Sequence, residues 1–274
     1  MNDESADTPR QEPPRPLALR IPSPPMSAEE SRHAYKSIES SLRELWSVVD
    51  NLSTLLPPRP TYYRVTIFGS SRMHEGDHLY GEVRRLAREL SRMGIDIITG
   101  GGPGLMQAAN EGERLGDVGD RTYSIGLNVD LPHEQTSNPY VDKLYQHGTF
   151  FSRLHHFVHL SSAFVVMPGG IGTTLEAMLV WQLAQVGHLE DRPLIFVGEM
   201  WRDLAEWGRK SWVNGQRQLA DPPDVEIPVC VDTVDGAVEI IEANLKMWEE
   251  RGGIEPTNEP GTRTRQRPAT GQAR

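Results

Sequence analysis

Apolar residues in the central part of the chain form short continuous runs separated by amphipathic stretches. The runs predict strands at Tyr63–Phe68, Ile95–Thr99, Ser124–Val129, Ala163–Met167, Leu194–Val197 and Ile227–Val231. The intervening segments have helical periodicity, most clearly Leu79–Met93, Thr173–Val186 and Val234–Trp248. Buried parallel strands with helices on both faces produce this alternation. We predict an α/β fold over residues 61–250, a doubly wound, Rossmann-like parallel sheet with helices on both faces.

The flanking regions have different patterns. Residues 1–26 contain seven prolines and few residues that could pack, which predicts a disordered, Pro-rich tail. Residues 27–60 predict an N-terminal amphipathic helix and a linker, because apolar residues recur every three or four positions and Pro57-Pro58 follows. Residues 251–274 are predicted to form a second disordered tail.

Composition narrows the function classes. Asp and Glu total 38 against 28 Lys and Arg, a net charge of -10, so we expect neither nucleic acid nor an anionic membrane as a partner. The single cysteine, Cys230, excludes an intramolecular disulfide framework and a Cys-based zinc cluster. No apolar run is long enough to span a bilayer, and the acidic N-terminus does not resemble a secretory signal. We expect a soluble, cytoplasmic protein.

Three glycine clusters follow predicted strands: Gly69–Arg72, Gly100–Met106 and Pro168–Thr174. Ligands of open parallel sheets bind at the carboxyl ends of strands, where such loops lie. The third cluster predicts a phosphate site, because glycines expose backbone N–H groups and the following helix adds its N-terminal charge. The alternative is a tight turn that needs one or two glycines for conformational reasons.

The loops do not match the commonest nucleotide motifs. A Walker A loop has a lysine after its last glycine, whereas Thr173 follows Gly172 here. A dinucleotide fingerprint reads G-x-G-x-x-G, but Gly102-Pro103-Gly104 is followed by Gln107. Both ATP hydrolysis and NAD binding are therefore disfavoured.

Two charged residues stand near the loops. Glu176 follows Thr173 by three positions, which fits either a capping box or a carboxylate beside a bound ribose. Arg153 is placed at the start of a predicted helix, Ser152–Leu160, where a cation is slightly unfavourable and a ligand contact would explain it. His155 and His159 are four apart, but no third ligand is evident, so we expect no metal site.

These motifs resemble a known family. Pro168–Glu176 matches the PGGxGTxxE signature of the LOG ("lonely guy") phosphoribohydrolases, also described as lysine-decarboxylase-like proteins. Gly100–Asn110 looks like the second hallmark of that family. Ile125–Gln135, with Asn138–Tyr140, is similar to its larger bacterial branch. The resemblance runs from about residue 65 to residue 197.

The resemblance implies hydrolysis of the N-glycosidic bond of a nucleoside 5′-monophosphate, AMP or a cytokinin riboside 5′-monophosphate. It implies Glu176 as the catalytic carboxylate, Arg153 as its partner and phosphate binding by Gly170, Gly172 and Thr173. The remaining substrate-binding residues expected are Gly69, Ser70, Gly101, Gly102, Met106 and Gly169. The family pattern has Arg-Lys where this chain has Arg153-Leu154. A homodimer or higher homo-oligomer is implied as well.

Neither a cofactor nor a metal is required for this chemistry. A pyridoxal-phosphate decarboxylase needs a Schiff-base lysine, and none of the four lysines (36, 143, 210 and 246) lies in a recognisable site. The alternative is a non-catalytic nucleotide or molybdenum-cofactor binding or carrier protein, since relatives of this fold include such carriers. A pure binder needs the glycine loops but not the Arg153 and Glu176 pair.

Overall fold

The computed structural model describes Lys36 and residues 62–129 and 137–252. Its described domain is built on a seven-stranded, all-parallel sheet. The strands are β1 (Arg64–Phe68), β2 (Asp96–Thr99), β3 (Ser124–Val129), β4 (Lys143–His147), β5 (Ala163–Val166), β6 (Leu194–Val197) and β7 (Pro228–Val231). Their order across the sheet is β4-β3-β2-β1-β5-β6-β7. The chain therefore reverses its direction of winding between β1 and β5.

Within residues 62–129 and 137–252, six helices cover the sheet: α1 (His78–Arg92), α2 (Leu105–Gly116), α3 (Phe150–Leu160), α4 (Ile171–Gln185), α5 (Glu199–Gly208) and α6 (Val234–Glu250). A short π-helical turn (Arg209–Val213) and a 3-10 turn (Pro222–Glu226) precede β7. The predicted doubly wound, Rossmann-like α/β fold is confirmed.

Alternating side chains of the buried strands build two hydrophobic cores, one on each face of the sheet. In β1, Ile67 packs with residues of α1, α2 and α6, whereas its neighbour Phe68 packs with residues of α3, α4 and α5. In β5, Val165 and Phe164 divide in the same way. Helices therefore cover both faces of the sheet, and a ligand site is expected in the loops at the carboxyl ends of the strands.

The strand β4 was missed by the sequence analysis. It lies at the edge of the sheet, pairs only with β3 among the described strands, and exposes the side chains of four of its five residues. A strand that buries so little does not need the Val- and Ile-rich pattern by which the other strands were predicted. The helix α4 begins at Ile171, two residues earlier than predicted.

Several predicted segments lie outside the described residues. They are the Pro-rich tail 1–26, the amphipathic helix and linker 27–60 apart from Lys36, and residues 253–274 of the C-terminal tail. Within the described ranges, none of the helices combines the length and apolar character that crossing a membrane requires.

Candidate active site

The three glycine loops meet at the carboxyl edge of the sheet. The loops after β1 and β5 are neighbours because these strands pair, and the Ser70 N–H donates to the Pro168 carbonyl at 3.2 Å. The loop after β2 joins them, since the Leu105 N–H donates to the Ser70 carbonyl at 2.9 Å. This edge is also the point where the winding direction reverses, which is the usual ligand crevice of a doubly wound sheet.

The loop between β5 and α4 is open. The α4 N-cap is Gly170, and no side chain caps the first N–H groups of the helix. Nothing in the described chain lies within 4 Å of an ideal Cβ at Gly170 or Gly172. An exposed helix N-terminus with free space around its glycines is a good environment for an anion.

In contrast to Gly170 and Gly172, Gly169 is in close contact with another side chain of this loop, that of Thr173. The side chain of Thr173 fills the space where a Cβ on Gly169 would stand, so only glycine fits at position 169. Thr173 is consequently buried, with 6% of its surface exposed. The structure places Thr173 in the first turn of α4, where it packs under the loop.

Glu176 and Arg153 come together beneath this loop. The Arg153 Nη2 of α3 donates to Oε1 of Glu176 of α4, and both side chains are mostly buried. The Arg153 guanidinium also stands over the Phe157 ring, 5.5 Å from its centroid. The same group lies 3.7 Å from the ideal Cβ position of Gly100, so Arg153 spans from the second glycine loop to the catalytic candidate.

The pairing bears on the helix-cap interpretation of Glu176. A capping-box glutamate accepts a hydrogen bond from the N-cap backbone. Glu176 stands five residues after the start of α4, and in the described part of the chain its hydrogen-bond partner is Arg153. The capping-box interpretation is therefore wrong, because Glu176 pairs with Arg153 and not with the backbone at the helix start.

Burial sets the acidity of this pair. Removal from water raises the pKa of the Glu176 carboxyl above its ordinary value, and the charge and hydrogen bond of Arg153 offset part of that rise. A carboxylate with a raised pKa is a better base than an exposed one, while the adjacent guanidinium favours its ionised form. Leu154, which replaces the usual lysine of the family pattern, is buried.

The loop between β2 and α2 is closed by the protein itself. The Met106 Sδ lies 2.8 Å from the ideal Cβ position of Gly100, and its Cε lies equally near that of Gly102. The Asn138 amide donates to the carbonyls of Gly101 and Gly102 at 3.1 and 2.9 Å. The three loop glycines and Met106 are thus part of one packed unit.

Two further buried side chains support that unit. The Thr99 hydroxyl accepts from the Gly101 N–H at 2.9 Å and donates to Asn110 Oδ1 at 2.8 Å. Asn110 Oδ1 also accepts from Asn138 Nδ2 at 2.9 Å. The sequence analysis missed the roles of Thr99 and Asn110, although polar residues inside buried elements were a signal that could have found them.

The first loop supplies Gly69 and Ser70. A Cβ on Gly69 would stand 2.9 Å from Leu105 Cδ1, so this glycine allows close approach of α2. The Ser70 hydroxyl accepts from the Arg72 N–H at 3.2 Å, within an exposed turn. Gly69 and Ser70 therefore lie at the same edge as the other predicted substrate-binding residues.

His155 and His159 share one face of α3, and a second histidine contact lies nearby. The rings of His155 and His159 stack with centroids 6.4 Å apart, and the described residues contain no group of three potential metal ligands. Closer to Arg153, His147 at the end of β4 contacts His156 of α3, with 3.0 Å between Nε2 and Nδ1. Sequence reasoning missed this contact.

Comparison with known proteins agrees with the motifs. A family model described as "Possible lysine decarboxylase" matches residues 106–241. The chain is 29% identical over 140 residues to the pyrimidine/purine nucleotide 5′-monophosphate nucleosidase of Escherichia coli K12, covering 49% of this chain and 30% of that protein. It is 29% identical over 110 residues to a cytokinin riboside 5′-monophosphate phosphoribohydrolase of Mycobacterium tuberculosis, covering 39% and 57%. The matches thus span about a third to just over half the length of these relatives.

Solved structures share the fold. The molybdenum cofactor binding protein of Rippkaea orientalis superposes with a TM-score of 0.51 at 15% identity, covering 67% of this chain and 98% of that protein. The molybdenum cofactor carrier protein of Chlamydomonas reinhardtii gives a TM-score of 0.51 at 17% identity, covering 68% and 99%. At these identities the likeness concerns the fold alone.

Proposed function

Because the chain belongs to the LOG, or lysine-decarboxylase-like, family, we propose that it hydrolyses the N-glycosidic bond of nucleoside 5′-monophosphates. The products are the free base and ribose 5-phosphate. AMP and cytokinin riboside 5′-monophosphates are the proposed substrates. The observation that carries the proposal is the buried pair of Arg153 and Glu176 beneath an open, uncapped helix N-terminus.

Glu176 is the proposed catalytic residue. Breaking the bond between C1′ and the base nitrogen develops positive charge on the ribose, which a nearby carboxylate stabilises. The carboxylate also accepts a proton from water as the water oxygen bonds to C1′. The base leaves with the electron pair of the broken bond and takes up a proton. The raised pKa of Glu176 supports this role, since burial strengthens the carboxylate as a base.

The loop between β5 and α4 is the proposed phosphate site. Its free space at Gly170 and Gly172 leaves room for phosphate oxygens beside the backbone N–H groups. Thr173, buried below Gly169, is proposed to shape the loop and to contribute its backbone. Phosphate held here anchors the nucleotide at a distance from the reacting bond, and its binding energy holds the ribose against Glu176.

Decarboxylation of lysine receives no support from the described lysines. Lys143 lies at the amino end of β4, with its Nζ 3.5 Å from the Tyr123 ring centroid. Lys210 and Lys246 form surface pairs with Glu206 and Glu242. None of these three lysines belongs to a glycine loop, where a Schiff base would have to form.

The alternative is a non-catalytic nucleotide or molybdenum-cofactor carrier, and the structural neighbours are molybdenum cofactor binding and carrier proteins. A carrier has no use for a buried carboxylate aimed at the ligand edge. The pair of Arg153 and Glu176 therefore favours the hydrolase, and nucleotide binding without base release would favour the carrier.

Chromatographic detection of free base tests the proposal. AMP, GMP, CMP, UMP and isopentenyladenosine monophosphate are incubated with the full chain, and adenosine serves as the control that lacks phosphate. We expect base from at least one monophosphate and none from adenosine. No release from the panel, with nucleotide binding retained, would overturn the hydrolase proposal.

Arg153→Ala tests the partner of the carboxylate. We expect kcat/KM to fall by about 100-fold, because Glu176 loses both its hydrogen bond and its counter-charge. Arg202→Ala is the matched control, since Arg202 forms an exposed ion pair with Asp232 outside the site. Equal kinetics for the two variants would contradict the assigned role.

We also propose that the chain acts as a homodimer or higher homo-oligomer in the cytoplasm. The family resemblance supports the assembly, and so do exposed apolar side chains at the starts of α3 and α4, namely Phe151 (81% exposed) and Ile171 (91%). A reducing compartment suits the free thiol of Cys230. Sedimentation analysis of the full chain tests the assembly, and a monomer at all concentrations would contradict it.

A further inference from the structure

His147 connects the end of β4 to the first turn of α3 through both ring nitrogens. Its Nδ1 lies 3.2 Å from the Ser152 hydroxyl, and its Nε2 lies 3.0 Å from His156 Nδ1. Ser152 and His156 bracket Arg153 on the helix, one position before it and three positions after it. The segment that carries Arg153 is therefore held at two points by one side chain from the edge strand.

The surrounding contacts determine the proton positions in this link. The Ser152 hydroxyl donates to the Thr149 carbonyl at 3.0 Å and accepts from the Thr149 hydroxyl at 3.1 Å. Its proton is thereby used, so a hydrogen bond with His147 requires the imidazole Nδ1–H to donate. His147 Nε2 is then unprotonated and accepts from the Nδ1–H of His156. Every contact in the chain is a hydrogen bond in this one arrangement.

We propose that His147 is a positioning residue for Arg153, acting through a directed hydrogen-bond chain that runs from His156 through His147 and Ser152 to the Thr149 carbonyl. This hydrogen-bond chain fixes the first turn of α3 against β4, and the Arg153 side chain extends from that turn to Glu176. The inference rests on the proposed function, because Arg153 matters for the hydrolysis only if Glu176 carries it out.

The charges around the link favour its neutral form. Burial and the Arg153 charge lower the pKa of His147, and burial with His147, His159, His155 and Arg64 lowers the pKa of His156 to about 4. The Tyr145 ring packs edge-on against His156. At neutral pH both imidazoles are therefore uncharged, as the hydrogen-bond chain requires.

The tautomers can be measured without any assay of activity. Long-range ¹H–¹⁵N spectra of the imidazoles are recorded on the full chain near neutral pH, and His147→Asn and His156→Asn assign the signals. We expect both rings to be in the Nδ1–H form. An Nε2–H form of His147, or rapid exchange between forms, would overturn the hydrogen-bond chain even if the protein proved to have another function.

The kinetic arm compares His147→Leu with His155→Leu and with His147→Asn. The first change removes both contacts, and we expect kcat on AMP to fall about tenfold or more with a smaller change in KM, because Arg153 and Glu176 are displaced. His155 lies on the same helix but takes no part in the hydrogen-bond chain, so the kinetics of its variant should resemble those of wild type. His147→Asn keeps a donor for Ser152 and should recover part of kcat. Wild-type kcat in His147→Leu, or equal losses in the two leucine variants, would contradict the proposal.

If the wild-type protein releases no base from any monophosphate, the proposed function fails and the kinetic arm fails with it. The spectra then still decide whether the link exists. An intact link in an inactive protein would overturn the proposed role in hydrolysis and leave His147 as a structural contact.

Discussion

Two glycine loops at the same edge of the sheet use glycine for opposite reasons. In the loop between β5 and α4, the positions beside Gly170 and Gly172 are empty, and the helix N-terminus has no side-chain cap. In the loop between β2 and α2, the corresponding space is taken by Met106 and by the backbone of Ser70 and Ser71, which belong to the loop after β1. The space beside the glycines is therefore open in the loop between β5 and α4 and filled in the loop between β2 and α2.

The difference shows what a glycine cluster can and cannot indicate in a sequence. Both clusters follow a buried strand and precede a helix, so their position in the sequence does not distinguish a loop with open space from a packed one. The tertiary contacts separate them, because Asn138 and the backbone of Ser70 reach the loop between β2 and α2 from other segments of the chain. Substitutions in the two loops should therefore have different effects.

The largest expected effect is in the closed loop. Gly104 has a φ of +73°, and an ideal Cβ there would stand 2.5 Å from the Ser70 carbonyl oxygen. We expect Gly104→Ala to lower the free energy of unfolding by about 3 kcal/mol, through backbone strain and this overlap. Urea denaturation measures the change.

Gly76→Ala is the matched control for that experiment. Gly76 lies in the loop after β1, has no positive φ, and has nothing in the described chain within 4 Å of its ideal Cβ. Its variant should unfold within about 0.5 kcal/mol of wild type. Equal stability of the Gly104 and Gly76 variants would show that the closed loop is not packed as described.

A smaller effect with mixed signs is expected in the open loop. Gly172 is inside the first turn of α4, where alanine has the higher helix propensity, so Gly172→Ala should raise the free energy of unfolding by about 0.5 kcal/mol. The same methyl group enters the proposed phosphate space, and AMP affinity should fall about tenfold, or about 1.4 kcal/mol. Calorimetric titration with AMP measures the affinity. Unchanged affinity would contradict the placement of the phosphate site beside Gly172.

The smallest effect concerns pH and the histidines that flank Arg153. Because the pKa of His156 is lowered to about 4, the unfolded chain binds a proton that the folded chain does not between pH 6.5 and 4. Stability due to this group is complete above pH 6.5 and is lost as the pH falls through that range. His156→Asn should therefore reduce the loss of unfolding free energy between pH 7 and 5 by at most about 1 kcal/mol.

The exposed His188 supplies the control, and His188→Asn should keep the wild-type pH dependence. Chemical denaturation at several pH values gives the slopes. A His156→Asn slope equal to that of wild type would contradict the lowered pKa.

The sequence was sufficient for the central part of the fold. Strands such as β1 and β5 are buried on both faces, and this burial demands the continuous apolar runs by which they were predicted. The edge strand β4 was missed because its side chains are mostly exposed and therefore need not be apolar. Helix α4 was placed two residues late, since Gly170 caps it without the Ser, Thr, Asp or Asn that usually marks a helix start.

The site was only partly accessible from the sequence. The motif resemblance indicated Glu176 and Arg153, but spacing alone left Glu176 undecided between a helix cap and a functional carboxylate. The structure excludes the helix cap through a contact between Arg153 of α3 and Glu176 of α4, 23 residues apart, which no local pattern encodes. For the same reason the spacing of histidines along the chain did not predict the contact between His147 of β4 and His156 of α3.

The most direct test of the account is base release by Glu176→Gln measured together with its affinity for the nucleotide. Gln keeps the shape of the side chain and removes the charge that stabilises the ribose and takes the water proton. We predict that kcat falls by about 100-fold or more while the Kd for AMP stays within about threefold of wild type, because the open loop still holds the phosphate. Full turnover by Glu176→Gln would contradict the central role of this carboxylate.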